Sequence, residues 1–407
     1  MARGFLLASV AFVTLSLPLG CQQSFDKIRE SAMIHSGGVY VLEGAEGSRV
    51  LVTPSLMGRV LTSKVGGVES VGFVSLPDIE SGHWPGEPFR NFGGQDRLWV
   101  GPESSQFGLF FDQGAEINSD TWRVPDALNS GAMEVVSYDE AEKKLVMACE
   151  MTLVNYSGVS FRVSVNREIG LIPSKSLNEE IGAPLPQGVD YVGSYSLNTL
   201  TNSGDEKWSR AQGLPCIWTI GQFNAESQAV VIAPFRPATE GVDLGPPYDD
   251  TYFGAIPENR LSTLGTAVVF RADARHRSKF GVDPARCRGF AASYSPRRRL
   301  LTIVKFDVDR EDPLYASFHW GKKFQSPYDG DVLQAYNHAG ASSRDKGLQG
   351  DFYELESTSP CKELAPNESL VHRHATFCFV GSRKSLNVIA IDVLGVDLNE
   401  ALAALDD

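Results

Sequence analysis

Short runs of β-branched and aromatic residues, cut every few positions by Gly, Pro, Ser or Asn, fill the chain from Val39 to Val380. Val39–Leu42, Arg49–Thr53, Gly58–Lys64 and Val71–Ser75 open the series, and Val135–Tyr138, Lys144–Tyr156, Ser160–Ile169 and Tyr191–Leu200 extend it. This is the spacing of antiparallel strands joined by turns. Lys144–Leu153 and Ser160–Ile169 alternate apolar and polar residues around an Asn155–Gly158 turn, as half-buried strands do. The second half repeats the texture at Cys216–Gln222, Gln228–Pro234, Leu264–Phe270, Gly289–Ser293, Leu300–Asp307, Tyr315–Trp320, Phe352–Ser357 and His372–Val380. Three stretches lack the pattern and read as loops: Pro77–Pro88, Arg236–Tyr252 and Val332–Gln349. The second, rich in Pro, Gly and acids, is the kind of long surface loop that carries function. One helix is persuasive: Asp397 can cap it, and Leu398, Leu402 and Leu405 share a face. No fixed-period repeat is visible, which argues against a propeller or solenoid. The expectation is an all-β sandwich over residues 35–385, followed by a 386–407 segment with a short C-terminal helix.

The first twenty residues do not fit this rhythm. Arg3 supplies a positive start, Phe5–Leu19 is apolar, and the run ends in Leu17-Pro18-Leu19-Gly20-Cys21. That is the layout of a signal peptide ending in a lipobox, with Cys21 the lipidated residue and residues 21–34 a tether. The expectation is export to the periplasm or cell surface, with the membrane met only through the lipid. A formal net charge of −13 leaves no basic face to neutralise phosphates, so nucleic acid is not expected as a partner. With Cys21 set aside, five cysteines remain, an odd number without CxxC spacing. Cys361 and Cys378 flank one expected hairpin and are the first candidates for a disulfide. Buried small apolar residues is the stronger reading for all five.

Chemistry-bearing residues concentrate in two blocks. In Phe89–Phe111 the paired Gly93-Gly94 marks a tight turn. Asp96 and Arg97 precede a short apolar strand, and Gly101-Pro102 breaks it, leaving Glu103 at the exit. Asp96 and Arg97 can pair with each other, or Arg97 can fork onto the hydroxyls of a polyhydroxylated ligand or onto a carboxylate. Trp99, Trp84 and Trp320 can stack on the apolar face of a polyhydroxylated ligand or fill the core. In the late strand, Glu354 and Glu356 are two apart and share a face, with Tyr353 and Leu355 on the other. Neighbouring carboxylates repel, which raises one pKa toward that of a general base near neutral pH.

The run GGQDRLWVGPE at 93–103, the strand FYELES at 352–357 and the turn at Leu364, Pro366 and Glu368 resemble the galactose mutarotase-like superfamily, and within it an exported bacterial branch of unknown function with a GGxDRxWxGPE signature. The resemblance implies a β-supersandwich with a sugar site on one sheet face. It implies a late-strand Glu as base on the anomeric hydroxyl, here Glu354 with Glu356 beside it. It further implies a His giving a proton to the ring oxygen, for which His319 and His338 are the candidates, and an Arg holding hydroxyls, here Arg97. Asp96, Glu103, Trp99 and Asn337 complete the expected substrate site. The partner is then a mono- or oligosaccharide and no cofactor is expected. The expected function is that of an exported carbohydrate-binding protein that epimerises an aldose or otherwise processes a sugar, with a non-catalytic glycan-binding or structural surface lipoprotein as the alternative.

A third reading rests on His372 and His374. They alternate on one strand and can chelate a metal with Glu354 or Glu356, as in a metal-dependent lyase or hydrolase. Two solvent-facing polar residues is the blander reading, and no metal is expected. No Ser-His-Asp set, GxGxxG or P-loop pattern is present.

Overall fold

The computed structural model describes residues 23–82, 89–238, 240–311, 313–339 and 350–406. Trp84, Cys21 and the signal segment lie outside these residues. The described chain forms antiparallel sheets of three, ten and five strands. The all-β supersandwich expected from the sequence is the architecture found.

Alternation along the strands explains the layering. In the ten-stranded sheet, Val231, Val268, Phe270 and Val304 enter one apolar core, whereas Val230, Ile232, Val269 and Ile303 enter another. The first core lies against the five-stranded sheet, whose Leu98, Phe280, Leu333 and Leu355 complete it. The second is covered by the helix Arg383–Leu394, with Leu386, Ile389, Ala390 and Val393 on its buried stripe. A sheet buried on both faces must be apolar at odd and even positions alike, which is why Val230–Pro234 and Ala267–Arg271 read as continuous runs.

Ser382 caps the Arg383–Leu394 helix, and Gly395, at φ 74°, ends it in the left-handed conformation glycine tolerates. Asp397 caps the expected terminal helix by accepting from the Asn399 and Glu400 amides. The residues expected as a tether instead form the helix Phe25–His35, which buries Phe25, Ile28 and Ala32 against Leu51, Leu61 and Phe92. Its apolar residues recur every three to four positions, a pattern hidden by the polar residues between them.

Two expected elements exchange places. Tyr315–Trp320 is a packed loop with an isolated bridge at Tyr315, although Tyr315, Ala316 and Phe318 are buried. Leu333–Asn337, placed by sequence in a loop, is the second strand of the five-stranded sheet. Apolar runs alone do not separate strand from buried loop, and Gln334 and Asn337 disguised the strand.

Candidate functional site

The five-stranded sheet runs Ser278–Val282, Leu333–Asn337, Phe352–Thr358, Cys216–Asn224, Arg97–Gly101. Its register lays two rows of side chains on the face turned away from the ten-stranded sheet. One row reads Lys279, Tyr336, Glu354, Gln222. The next reads Gln334, Glu356, Ile220, Arg97, with Trp218 opposite Trp99 one step beyond. Residues far apart in sequence thus meet through strand alternation alone.

A cleft of about 650 Å³, counted to its open mouth, stands on this face. Its floor is Arg97, Trp99, Trp218, Ile220, Lys279 and Glu354, and Trp122, Phe253, Trp320, Tyr336 and Phe352 wall it with Glu103 and Arg277. Every carboxylate here has built-in donors. Glu354 Oε1 accepts from the Arg97 guanidinium and, at 2.9 Å, from Gln222 Nε2. Glu356 Oε2 accepts from Lys279 Nζ and from Trp218 Nε1, each at 2.9 Å, while its Oε1 is buried without a partner. Burial pushes Glu356 up to about 7, with the Lys279 ammonium opposing. Glu103 accepts from two indoles, Trp122 Nε1 at 2.8 Å and Trp320 Nε1 at 3.0 Å, and burial raises its pKa against the pull of Lys279. The Trp99 indole N–H and the Gln222 Oε1 are buried and unpartnered. Arg277 lies 3.5 Å over the Phe253 ring.

The glycine pair fixes the start of the floor. Gly93 and Gly94 have φ of 80° and 126°, and a Cβ on Gly93 would sit 2.2 Å from Phe73 O. The chain is thereby pinned so that Arg97 enters the strand facing the cleft.

Of the expected site residues, Arg97, Trp99, Glu103 and Glu354 converge in the cleft, with Trp320 on its wall and Glu356 just behind Lys279. Four others are corrected. Asp96 faces the opposite side of the sheet, where the buried Arg167 holds it at 2.7 Å. Burial alone would raise Asp96, but the guanidinium overrides it and holds the carboxyl below its usual range. The Asp96–Arg97 pair is therefore split between the two faces. Asn337 points to that same inner side and serves the backbone, accepting from Ala274 N at 2.9 Å and donating to His276 O at 2.9 Å.

Neither candidate acid histidine lines the cleft. His319 Nε2 lies 3.1 Å from Asp249 Oδ2 and 3.1 Å from Thr251 Oγ1, and its ring stacks on Tyr252 at 4.0 Å. The hydrogen bond from His319 holds Asp249 down at about 2. His319 thus clamps the Asp249–Tyr252 loop, whose next residue, Phe253, forms the wall. His338 is buried behind the wall, bonded to Tyr336 OH at 3.0 Å and stacked on Phe352 at 4.5 Å.

His372 and His374 do share a face, but it is the sealed one between the sheets. Both bond Ser357 Oγ, at 2.8 and 2.9 Å, and burial pushes them down to about 3 and about 4. Glu354 and Glu356 project from the other side of the Phe352–Thr358 strand that carries Ser357 and cannot join them. Among the described residues no group of three or more His, Cys, Asp or Glu is arranged to hold a metal ion.

Sequence reasoning missed Lys279, Gln222, Trp218, Trp122 and Arg277. The signal for Lys279 was a lone cation inside the apolar run Ser278–Val282. Pairing it with Glu356 required the register.

The fold is a β-supersandwich whose five-stranded sheet carries the cleft on its outer face. Solved structures similar to the chain include the Slr1438 protein from Synechocystis sp. PCC 6803, with a TM-score of 0.50 and 13% identity over 85% of this chain and 96% of that one. An Escherichia coli K12 protein described as a candidate aldose 1-epimerase scores 0.49 at 13% identity, over 84% and 98% of the two chains. A galactose mutarotase related enzyme from Lactobacillus acidophilus scores 0.45 at 8% identity, over 85% and 97%. At such identities the likeness is one of fold. Among curated proteins no sequence matches the chain. The chain belongs to the family of unknown function DUF6786, whose model matches residues 25–405.

Proposed function

We propose that this is an exported, lipid-anchored protein that binds a mono- or oligosaccharide in the cleft and interconverts the anomers of an aldose by acid–base chemistry. One observation carries the reading. A carboxylate, Glu354, and an ammonium, Lys279, each with its own counter-group, open onto one aromatic-walled cleft. Indole and phenyl faces suit the C–H faces of a sugar, and the unpartnered Trp99 N–H and Gln222 Oε1 suit its hydroxyls.

In the reaction, Glu354 takes the proton of the anomeric hydroxyl and Lys279 gives one to the ring oxygen. The bond from C1 to the ring oxygen breaks, leaving the open-chain aldehyde. Rotation about the C1–C2 bond and reclosure, with both protons returned, deliver the other anomer. Lys279 takes the acid role that the resemblance assigned to a histidine, and the buried Glu356 carboxylate, accepting from its Nζ, holds the ammonium at the cleft floor.

Following the optical rotation of pure α-anomers of hexoses, pentoses and uronic acids tests this. Acceleration over buffer that disappears in Glu354→Gln is the expected result. Saturable binding without acceleration for any member of the panel would favour a glycan-binding module, a reading that the lack of a lining histidine among the described residues supports. Neither binding nor acceleration would sink both. For the anchor, Cys21→Ser should move the protein from the membrane to the soluble fraction.

A further inference from the structure

The described chain holds five cysteines, none of them bridged. Cys378 and Cys361, the pair suggested by sequence, are separated: Cys378 lies between the sheets, 3.9 Å from Gln95 Nε2, with Ser63 and Thr302 around it. Cys361 lies beside Cys216 instead: both are buried, close enough for the Cys361 sulfur to act on the Cys216 thiol.

The backbone accounts for this meeting. Trp218 opposes Thr358 in the ladder between the Cys216–Asn224 and Phe352–Thr358 strands. One step on, Ser359 N donates to Ile217 O at 2.9 Å and Ser359 Oγ accepts from Ile217 N at 2.9 Å. The pairing therefore continues past the strand end and carries Cys216 alongside the Pro360–Cys361 turn, which Cys361 N anchors to Leu314 O at 2.6 Å. On the other side of Cys216 the opposed residue is Gly101, where a Cβ would stand 3.1 Å from the Cys216 sulfur. The phenol of Tyr328 feels both sulfurs. No step of the proposed reaction uses either thiol.

We propose that Cys216 and Cys361 join in a disulfide as the chain folds in an oxidising compartment, stapling the strand that carries Trp218 and Gln222 to the segment leaving the strand that carries Glu354. The compartment rests on the proposed export, whereas the pairing rests on the backbone ladder that carries Cys216 alongside Cys361. Two thiols give up two protons and two electrons to a disulfide oxidant, oxidised glutathione or an oxidoreductase disulfide, which leaves as two thiols. One S–S bond forms and two S–H bonds are lost. The neighbouring Cys361, together with burial, pushes the Cys216 thiol well above its ordinary range, so the attacking thiolate is scarce once the protein has folded. Oxidation therefore belongs to folding, and the finished bond is shielded from reductant.

Refolding the full chain from the reduced, denatured state in a glutathione redox buffer, then alkylating and peptide-mapping it, tests the proposal. The same map on protein secreted to a bacterial periplasm removes any dependence on refolding yield. One linked peptide pair carrying Cys216 and Cys361 is expected, with two fewer alkylated thiols than in the reduced protein. The melting temperature should rise by roughly 5–10 °C on oxidation. That rise should vanish in Cys361→Ser and, as a second variant, in Cys216→Ala. Full alkylation of both cysteines after oxidative folding, or a link from either to Cys287 or Cys378, overturns it.

Discussion

The two faces of the five-stranded sheet carry similar chemistry to opposite ends. Neighbouring residues divide between them: Arg97 and Glu356 face the cleft, while Asp96 and Ser357 face the ten-stranded sheet. Both faces hold buried acids paired with cations. On the inner face, Asp96, Arg167, Asn198, His372, His374 and Ser357 form a sealed network in which Arg167 also bonds Asn198 Oδ1 at 2.5 Å and Gly58 O at 2.9 Å. On the outer face, similar pairs stop at a cavity. What separates structure from site is therefore access, since the residue types are shared.

The most direct way to break the comparison is Glu354→Gln. Loss of a general base should cost about 10²–10⁴-fold in turnover, with a smaller loss of stability than in Arg167→Ala because an amide oxygen at this position can still accept from Arg97. Arg167→Ala does the reverse. It strands the Asp96 carboxylate and should cost about 3–5 kcal/mol in urea unfolding, while sugar affinity per folded molecule is retained.

Acid sharpens the contrast on the inner face. His372 and His374 titrate at about 3 and about 4 when folded against 6.5 for an ordinary histidine, so the unfolded chain binds more protons between these values. Their contribution is present in full above pH 6.5 and is lost as the pH falls toward 4 and 3. Unfolding midpoints measured across that window should fall with acid, and His374→Gln should flatten the curve. The smallest effect is expected for His319→Ala, which should leave turnover within about twofold because the ring braces the loop from outside the cleft.

Much of the fold was legible because period-2 alternation and turn residues mark strands in any order. Half of the site was legible too, since Arg97, Glu103 and Glu354 sit beside glycine breaks or an acid pair that declare themselves. The rest was hidden for two reasons. Alternation says that Asp96 and Arg97 part, and that His372 and His374 stay together, but not which side is sealed by a second sheet. Lys279, Gln222 and Trp218 become site residues only through register with Glu354 and Glu356, and register between distant strands is a tertiary property. The histidines failed for a related reason. A His beside aromatics suits a proton donor equally well as a loop brace, and Asp249 decides it for His319.

The central claim, that the outer face is a sugar site and the inner face is framework, is tested most directly by titrating a panel of aldoses while following tryptophan emission. Trp99, Trp122, Trp218 and Trp320 all line the cleft, so a bound sugar must perturb them. A saturable change in the parent protein, retained in His372→Gln and weakened in Glu354→Gln, is the expected result. A flat response to every sugar, or a response that His372→Gln abolishes and Glu354→Gln leaves intact, would contradict it.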